Sequence, residues 1–575
     1  MHELLKYLKD YKKECVLAPL FKMLEAVFEL TVPLVIARMI DKGIRPDNRS
    51  VITGSFVILL CLATVGLAVS VTAQYFAAKA ATGFSRGLRH DLFSHILSFG
   101  FSEIDHIGTS TLITRMTADV NTLQNGVNMF LRLFLRSPFI VTGAMVMAFT
   151  IDSKSALIFV GVIFALSLVI FVVMKINIPL LVKGQEKLDA ILRLVRQNLS
   201  GVRVIRAFVL EDAQVGEFEK NNSELTGISL VAGKVSGALN PLTYVLVNIA
   251  IVMLVATGDD RIRLGVLTTG AVVALYNYMS QILLELIKFA NLIVTMNRSL
   301  ASAKRVSRIF ERKVSMTVSD DPADILEDAK VPAVEFKNVS LKYHESADDA
   351  ISDITFAIRR GESFGIIGGT GSGKTSIANL IPRFYDATAG EVFVGGINVR
   401  DIDIAKLRKH VGTVMQTAVL FEGSIRDNLL WGNGEASDDD IMEAVDAAVC
   451  TDVVKSKGGL DGMIEARGRN LSGGQRQRLC IARVLVGKPE ILILDDASSA
   501  LDYMTDKKLR ENIANLSYHP TVIIIAQRTV SVEACDRILV VDDGNIEGIG
   551  THTQLLESCD VYKEIYTSIY RKEEG

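Results

Sequence analysis

Cysteine is scarce and scattered. Cys15, Cys61, Cys450, Cys480, Cys535 and Cys559 form no CxxC pair, which excludes a disulfide framework or a zinc site as the organising principle. Excess charge is also missing. Lys and Arg total 62 against 65 Asp and Glu, a net charge of −3, so the chain has no basic field with which to hold nucleic acid. The charged N-terminus, MHELLKYLKDYKKE, runs into apolar sequence without a small-residue cleavage pattern. It reads as a cytoplasmic lead-in helix and not as a signal peptide. After about residue 295 no apolar run is long enough to cross a bilayer.

What is present divides in two. The 575 residues are 49% hydrophobic yet 22% charged, and the mean hydropathy is +0.32. An apolar part joined to a charged globular part explains that mixture. Six apolar stretches precede the change, at 16–40, 51–78, 127–151, 156–176, 231–258 and 264–290. At ~1.5 Å per residue, about 20 residues cross a ~30 Å hydrocarbon layer, so each predicts a transmembrane helix. The links Asp41–Ser50, Asp152–Ser155 and Asp259–Arg263 are short, whereas Lys79–Gly126 and Lys175–Leu230 are long and patterned as helix. The long segments carry a cationic bias, including Arg86, Arg89, Arg193 and Arg196. That bias places them, with both termini, on the cytoplasmic side.

Charges inside the spans are costly and mark a water-filled cavity or a partner. Several lie there, among them Lys22, Glu25 and Glu29 in the first, Arg132 and Arg136 in the third, and Glu285 and Lys288 in the sixth. Glu25 and Glu29 share one helix face. They are candidates for attracting a cationic substrate, or for pairing with Lys22 or Arg132.

The segment Lys304–Asp328 is charged, contains Pro322 and reads as linker. The organisation expected is a membrane domain over 1–310, a linker over 311–332 and an α/β domain over 333–575. Within the last, Gly368-Gly369-Thr370-Gly371-Ser372-Gly373-Lys374-Thr375 is a complete GxxxxGK[ST] loop between an apolar strand and a helix. Its amides would cradle phosphates, Lys374 would neutralise the β- and γ-phosphates, and Thr375 would ligate Mg²⁺. A chance glycine turn would lack strand, helix, Lys and Thr together. The apolar strand Ile491–Leu494 ends in Asp495-Asp496, which sets a carboxylate beside that metal.

Between these motifs stands Leu471-Ser472-Gly473-Gly474-Gln475. Here the sequence resembles the ABC transporter family, whose ATPase domain is marked by LSGGQ. The resemblance spans nearly the whole chain. It implies that Tyr343 stacks on adenine, that Gln416 is the Q-loop residue at the metal and the reacting water, and that Asp495 is the metal-side acid. Asp502 matches the D-loop, Gly201–Phe208 with Glu211 resemble a second intracellular loop, and Gly108–Arg115 with Asp119 the first. Six spans ahead of one such domain resemble an exporter half-transporter, in which two chains make one pump and each signature completes the other chain's ATP site.

Two positions depart from the family pattern. Asp496 stands where the family has Glu as the base, and Gln527 where it has the switch His. Asp is one methylene shorter, which leaves its carboxylate ~1–1.5 Å from where the water needs it and costs ~10²-fold or more in rate. ATP binding is expected to survive and efficient hydrolysis is not. The pattern resembles the degenerate subunit of heterodimeric bacterial multidrug exporters, in the cytoplasmic membrane, with a hydrophobic small-molecule substrate and lipid around it. Glu465-Ala466-Arg467-Gly468 also replaces the usual Gly-Glu-Arg-Gly. Other readings stay open at this point: a homodimeric exporter of lipid or peptide, an ATP-gated channel, or an importer on the same fold. A soluble P-loop enzyme would explain the ATP motifs but not the spans.

Overall fold

The computed structural model describes residues 2–312, 314–316, 322–325, 328, 330–343 and 348–570. Residues 313, 317–321, 326, 327 and 329 of the expected linker lie outside the described residues. Packing divides the chain into two units, Met1–Leu97 with Ser110–Arg312, and Ser98–Thr109 with Lys313–Gly575.

The first unit is helical. Its helices are α1 (Lys12–Met39), α2 (Arg49–Leu97), α4 (Thr109–Thr114), α5 (Val120–Leu133), α6 (Arg136–Ile151), α7 (Ser153–Ser200), α8 (Val202–Ala207), α9 (Glu211–Arg263) and α10 (Thr269–Glu311); α3 (Phe101–Ile107) belongs to the second unit. With 48 residues, α7 is ~72 Å long, more than twice the ~30 Å layer, so the segments expected as helical extensions are continuous with the spans. Among the described residues, five helical stretches, with 109–151 counted as one, are long and apolar enough to cross a membrane, where six are expected. The exception is α1, which has the length but carries Lys22, Glu25 and Glu29 near its middle.

Proline accounts for one further difference. Pro138 has no N–H for the Phe134 carbonyl and its ring crowds that turn, so the span expected at 127–151 is interrupted at 134–135. Pro33 likewise leaves the Glu29 carbonyl without its helical donor, and Gln281 Nε2 supplies one at 3.2 Å. The link expected at Asp259–Arg263 is helical. The chain turns instead at 264–268, where Gly265 has φ 72 and Thr268 caps α10 by accepting from Ala271 N. Aspartates staple these ends. Asp152 takes Arg261 at 2.5 Å, and Asp41 accepts from Thr268 Oγ1 at 2.5 Å and Gly270 N at 2.9 Å.

In the second unit the strands are β1 (Val334–Leu341), β2 (Ile351–Ile358), β3 (Ser363–Ile367), β4 (Ala389–Val394), β5 (Ile397–Asn398), β6 (Val411–Val414), β7 (Gly423–Ser424), β8 (Met463–Ile464), β9 (Ile491–Asp495), β10 (Thr521–Ala526), β11 (Arg537–Asp542) and β12 (Asn545–Gly550). An antiparallel sheet has the order β2-β1-β4-β5. The larger sheet, β12-β11-β3-β10-β9-β6, is parallel except for β12. Continuous apolar strands such as Ile491–Leu494 fit its centre, where both faces are covered. Within this unit α3 packs by Phe101 on Phe384, ring centroids 4.8 Å apart, and Tyr385 Oη donates to Asp105 at 2.6 Å.

Candidate functional site

Strand register brings distant residues together. In the parallel sheet Ile525 lies opposite Asp495 and Ala526 opposite Ile367. Gly368, Asp496 and Gln527 are therefore the first residues beyond one sheet edge, on adjacent strands. Open parallel sheets bind ligands at such carboxyl ends.

The phosphate loop leaves β3 and enters α11 (Lys374–Leu380). A Cβ on Gly368 would lie 2.0 Å from Val541 O, and one on Gly373, at φ 96, 2.5 Å from Ala350 O. Backbone this close tolerates only glycine. Lys374 is 7% exposed and donates to Gly368 O at 2.9 Å and Gly369 O at 2.5 Å. Burial pulls its ammonium below the usual lysine range, while Asp495, Asp496 and Asp542 oppose that shift. Thr375 Oγ1 donates to Asp495 Oδ1 at 3.1 Å. Burial holds the Asp495 carboxyl above the usual range, against the Thr375 bond.

Tyr343 Oη and Ser376 Oγ are 3.0 Å apart, and Tyr385 meets the Tyr343 ring edge-on with centroids 5.1 Å apart. Sequence reasoning singled out Tyr343 alone, because neither Ser376 nor Tyr385 belongs to a motif it used. Asp496 has φ 48, in the left-handed region that Asp enters more readily than most residues. Gln416 Nε2 and Gln527 Nε2 both donate to its Oδ2, at 3.3 and 3.4 Å. Thus Tyr343, Thr370–Thr375, Gln416, Asp495, Asp496 and Gln527 line one cavity of about 290 Å³.

The signature is elsewhere. Ser472, Gly473, Gly474, Gln475 and Asp502 line a second concavity that shares no residue with the first. Ser472 caps the helix Gly473–Leu485, accepting from Gln475 N while its own N–H donates to Gln475 Oε1 at 2.9 Å. Leu471 is buried below it. Asp502 accepts from Thr505 N and Oγ1, and these bonds hold its carboxyl below the usual range. One residue was missed. Gln477, 3% exposed, donates to Asp496 O at 3.1 Å and accepts from Ala500 N at 3.2 Å. It ties the signature helix to the loop beyond β9. An uncharged amide between Arg476 and Arg478 was the only signal available.

In the membrane unit, Glu25 takes Lys22 at 2.5 Å. Arg136, and not Arg132, is the arginine that binds the acids. It donates to Glu29 at 2.8 Å and Glu285 at 2.7 Å, and lies 3.9 Å from Glu25. Ser137 and Lys288 complete Glu285, each at 2.8 Å. Arg136 and Glu285 are buried, so removing the arginine leaves a buried carboxylate short of a partner. Arg136→Ala is therefore expected to destabilise the membrane unit by about 3–5 kcal/mol, read as a lowered thermal unfolding midpoint in detergent. Arg136→Lys should lose less.

Comparison with known proteins matches this two-unit plan. Residues 15–286 match the family model described as ABC transporter transmembrane region, and residues 351–499 the model described as ABC transporter. The uncharacterized ABC transporter ATP-binding protein YfiB of Bacillus subtilis (strain 168) is 34% identical over 577 residues, covering 100% of this chain and 99% of that protein. The putative multidrug export ATP-binding/permease protein YgaD of the same organism is 28% identical over 589 residues, covering 99% of each. A bacterial Atm1-family ABC exporter solved with ATP bound superposes with a TM-score of 0.81 over 96% of this chain and 97% of that one, at 22% identity. With a helical membrane domain fused ahead of a P-loop ATPase domain in an exporter-type fold, the chain belongs to the ABC transporter family and is an ATPase-coupled transporter.

Proposed function

We propose that this chain is the weak-site half of a heterodimeric exporter of hydrophobic or amphipathic compounds. It sits in a bacterial cytoplasmic membrane, with both termini and the ATPase domain on the cytoplasmic side. The observation that carries the reading is the base position, where one oxygen of the short Asp496 takes amide donors from both Gln416 and Gln527. A base held back by one methylene and occupied by two amides is poorly placed to polarise water. The binding apparatus supports nucleotide retention. Tyr343 offers the adenine platform, Lys374 the phosphate cation, and Thr375, Asp495 and Gln416 would hold Mg²⁺, which screens phosphate charge. The signature Leu471–Gln475, in its own concavity, serves the ATP site of the second chain, which carries Glu and His at the two altered positions. The printed name of YgaD supports multidrug export. Glu25 and Glu29 are read as helix partners, because their charges are matched.

The test compares the chain alone with the assembled pair. Alone, it should bind a fluorescent ATP analogue yet turn over within about twofold of background. Turnover of several per second by the pure homodimer would sink the heterodimer reading.

A further inference from the structure

The P-loop cavity and the signature concavity share no residue, yet one side chain is bonded to both. Asp496 lines the first and Ala500 the second. Gln477 stands on the signature helix Gly473–Leu485. Its Nε2 donates to Asp496 O at 3.1 Å, and its Oε1 accepts from Ala500 N at 3.2 Å. Buried as it is, an amide that loses either bond is left unsatisfied, with no water at hand to replace the partner.

Each end of this bridge is itself held. Asp496 N donates to Ile525 O at 3.0 Å, and Asp496 O also accepts from Ser499 N at 3.2 Å and Ser499 Oγ at 2.9 Å. At the other end, a Cβ on Gly474 would lie 2.9 Å from Ala500 O, so the start of the signature helix rests directly on that residue. From the cavity side, Gln416 and Gln527 reach the Asp496 carboxylate. A nucleotide that draws either amide away changes what holds Asp496. A shift of the Asp496 peptide then breaks a buried bond or carries the signature helix with it.

We propose that Gln477 is a positioning residue through which the state of this chain's P-loop cavity sets the catalytic rate at the site its signature completes. It lines neither cavity. Its part is to make the Asp496 peptide and the signature helix move as one body, so that a ligand favouring one arrangement biases both sites. The assignment rests on the weak-site reading, in which the P-loop cavity retains nucleotide while the partner's site turns over.

The test is a double-mutant cycle on the assembled transporter, with every substitution in this chain. Lys374→Ala empties the P-loop cavity and should leave about half the steady-state ATPase. Gln477→Met keeps the length of the side chain and loses both bonds. It should lower kcat at least about tenfold with KM for ATP within about twofold, and Lys374→Ala added to it should make no further difference. Ser499→Ala removes a bond to Asp496 O without touching the signature helix, so there Lys374→Ala should still halve the rate. If Gln477→Met does not assemble, Gln477→Glu serves in its place. It keeps an acceptor for Ala500 N, loses the donor to Asp496 O, and should likewise abolish the response to Lys374→Ala. Halving that persists in the Gln477 variant overturns the proposal. So does a Gln477→Met transporter with a lowered thermal unfolding midpoint and unchanged kcat, which would make the residue a brace for the fold. Loss of the response in Ser499→Ala as well would place the effect in the Asp496 carbonyl and not in the link to the signature, and also overturns it. A loss far beyond half from Lys374→Ala alone counts against the weak-site reading, and the cycle still decides the role of Gln477.

Discussion

Gly474→Asp is expected to lower the steady-state ATPase of the assembled pair at least about a hundredfold, whereas Lys374→Ala leaves about half. The ranking follows from which site each residue serves. Gly474 lies in the signature, where a Cβ would come 2.9 Å from Ala500 O and 3.4 Å from Leu501. A carboxylate there both displaces the helix start and sets a negative charge where the partner's nucleotide presents its phosphates. Lys374 serves the P-loop cavity of this chain, which the heterodimer proposal makes the weak site. Its loss weakens nucleotide retention without removing the competent site. Ser472→Ala is the gentler probe. It removes a helix cap worth about 1 kcal/mol and one hydroxyl donor, so it should still cost more ATPase than Lys374→Ala. Steady-state phosphate release from the purified pair decides the matter. A greater loss from Lys374→Ala than from either signature variant would reverse the assignment of which site works.

The parts of this architecture legible in the sequence are those whose chemistry is local. The phosphate loop, the strand ending in Asp495 and the Leu471–Gln475 signature each lie within a few consecutive residues, and the structure sets them on a strand-to-helix turn, a strand end and a helix start. What the sequence hid depends on register and packing between distant residues. The Thr375–Asp495 bond spans 120 positions and exists because β10 lies between β3 and β9. Gln477 looked like one polar residue among arginines until burial set it against Asp496 O. Arg132 and Arg136 are indistinguishable by composition; only the positions of Glu29 and Glu285 separate the paired arginine from the unpaired one. The interruption at 134–135 was legible in principle, since Pro138 marks the carbonyl it deprives, but an apolar run of sufficient length masked it.

Repair of the weak site is the sharpest test of how far two residues determine it. Asp496→Glu restores the reach of the base, but Gln527 still spends its amide on that carboxylate or on phosphate and has no imidazole to share charge. The present bonds, 3.3 Å from Gln416 and 3.4 Å from Gln527, bring both amides to the same carboxylate oxygen. Groups that act as a unit are strongly non-additive. Either single change should therefore recover less than about tenfold, and Asp496→Glu with Gln527→His about a hundredfold. The measurement is single-turnover hydrolysis in the pair whose partner carries Gln in place of its own base, so that only this site fires. The left-handed backbone at Asp496, φ 48, sets a limit on the gain, because Glu enters that region less readily than Asp. Full recovery from Asp496→Glu alone would show that Gln527 is a bystander. No recovery from the double change would place the defect beyond these two side chains, in the signature that the partner contributes or in closure of the site.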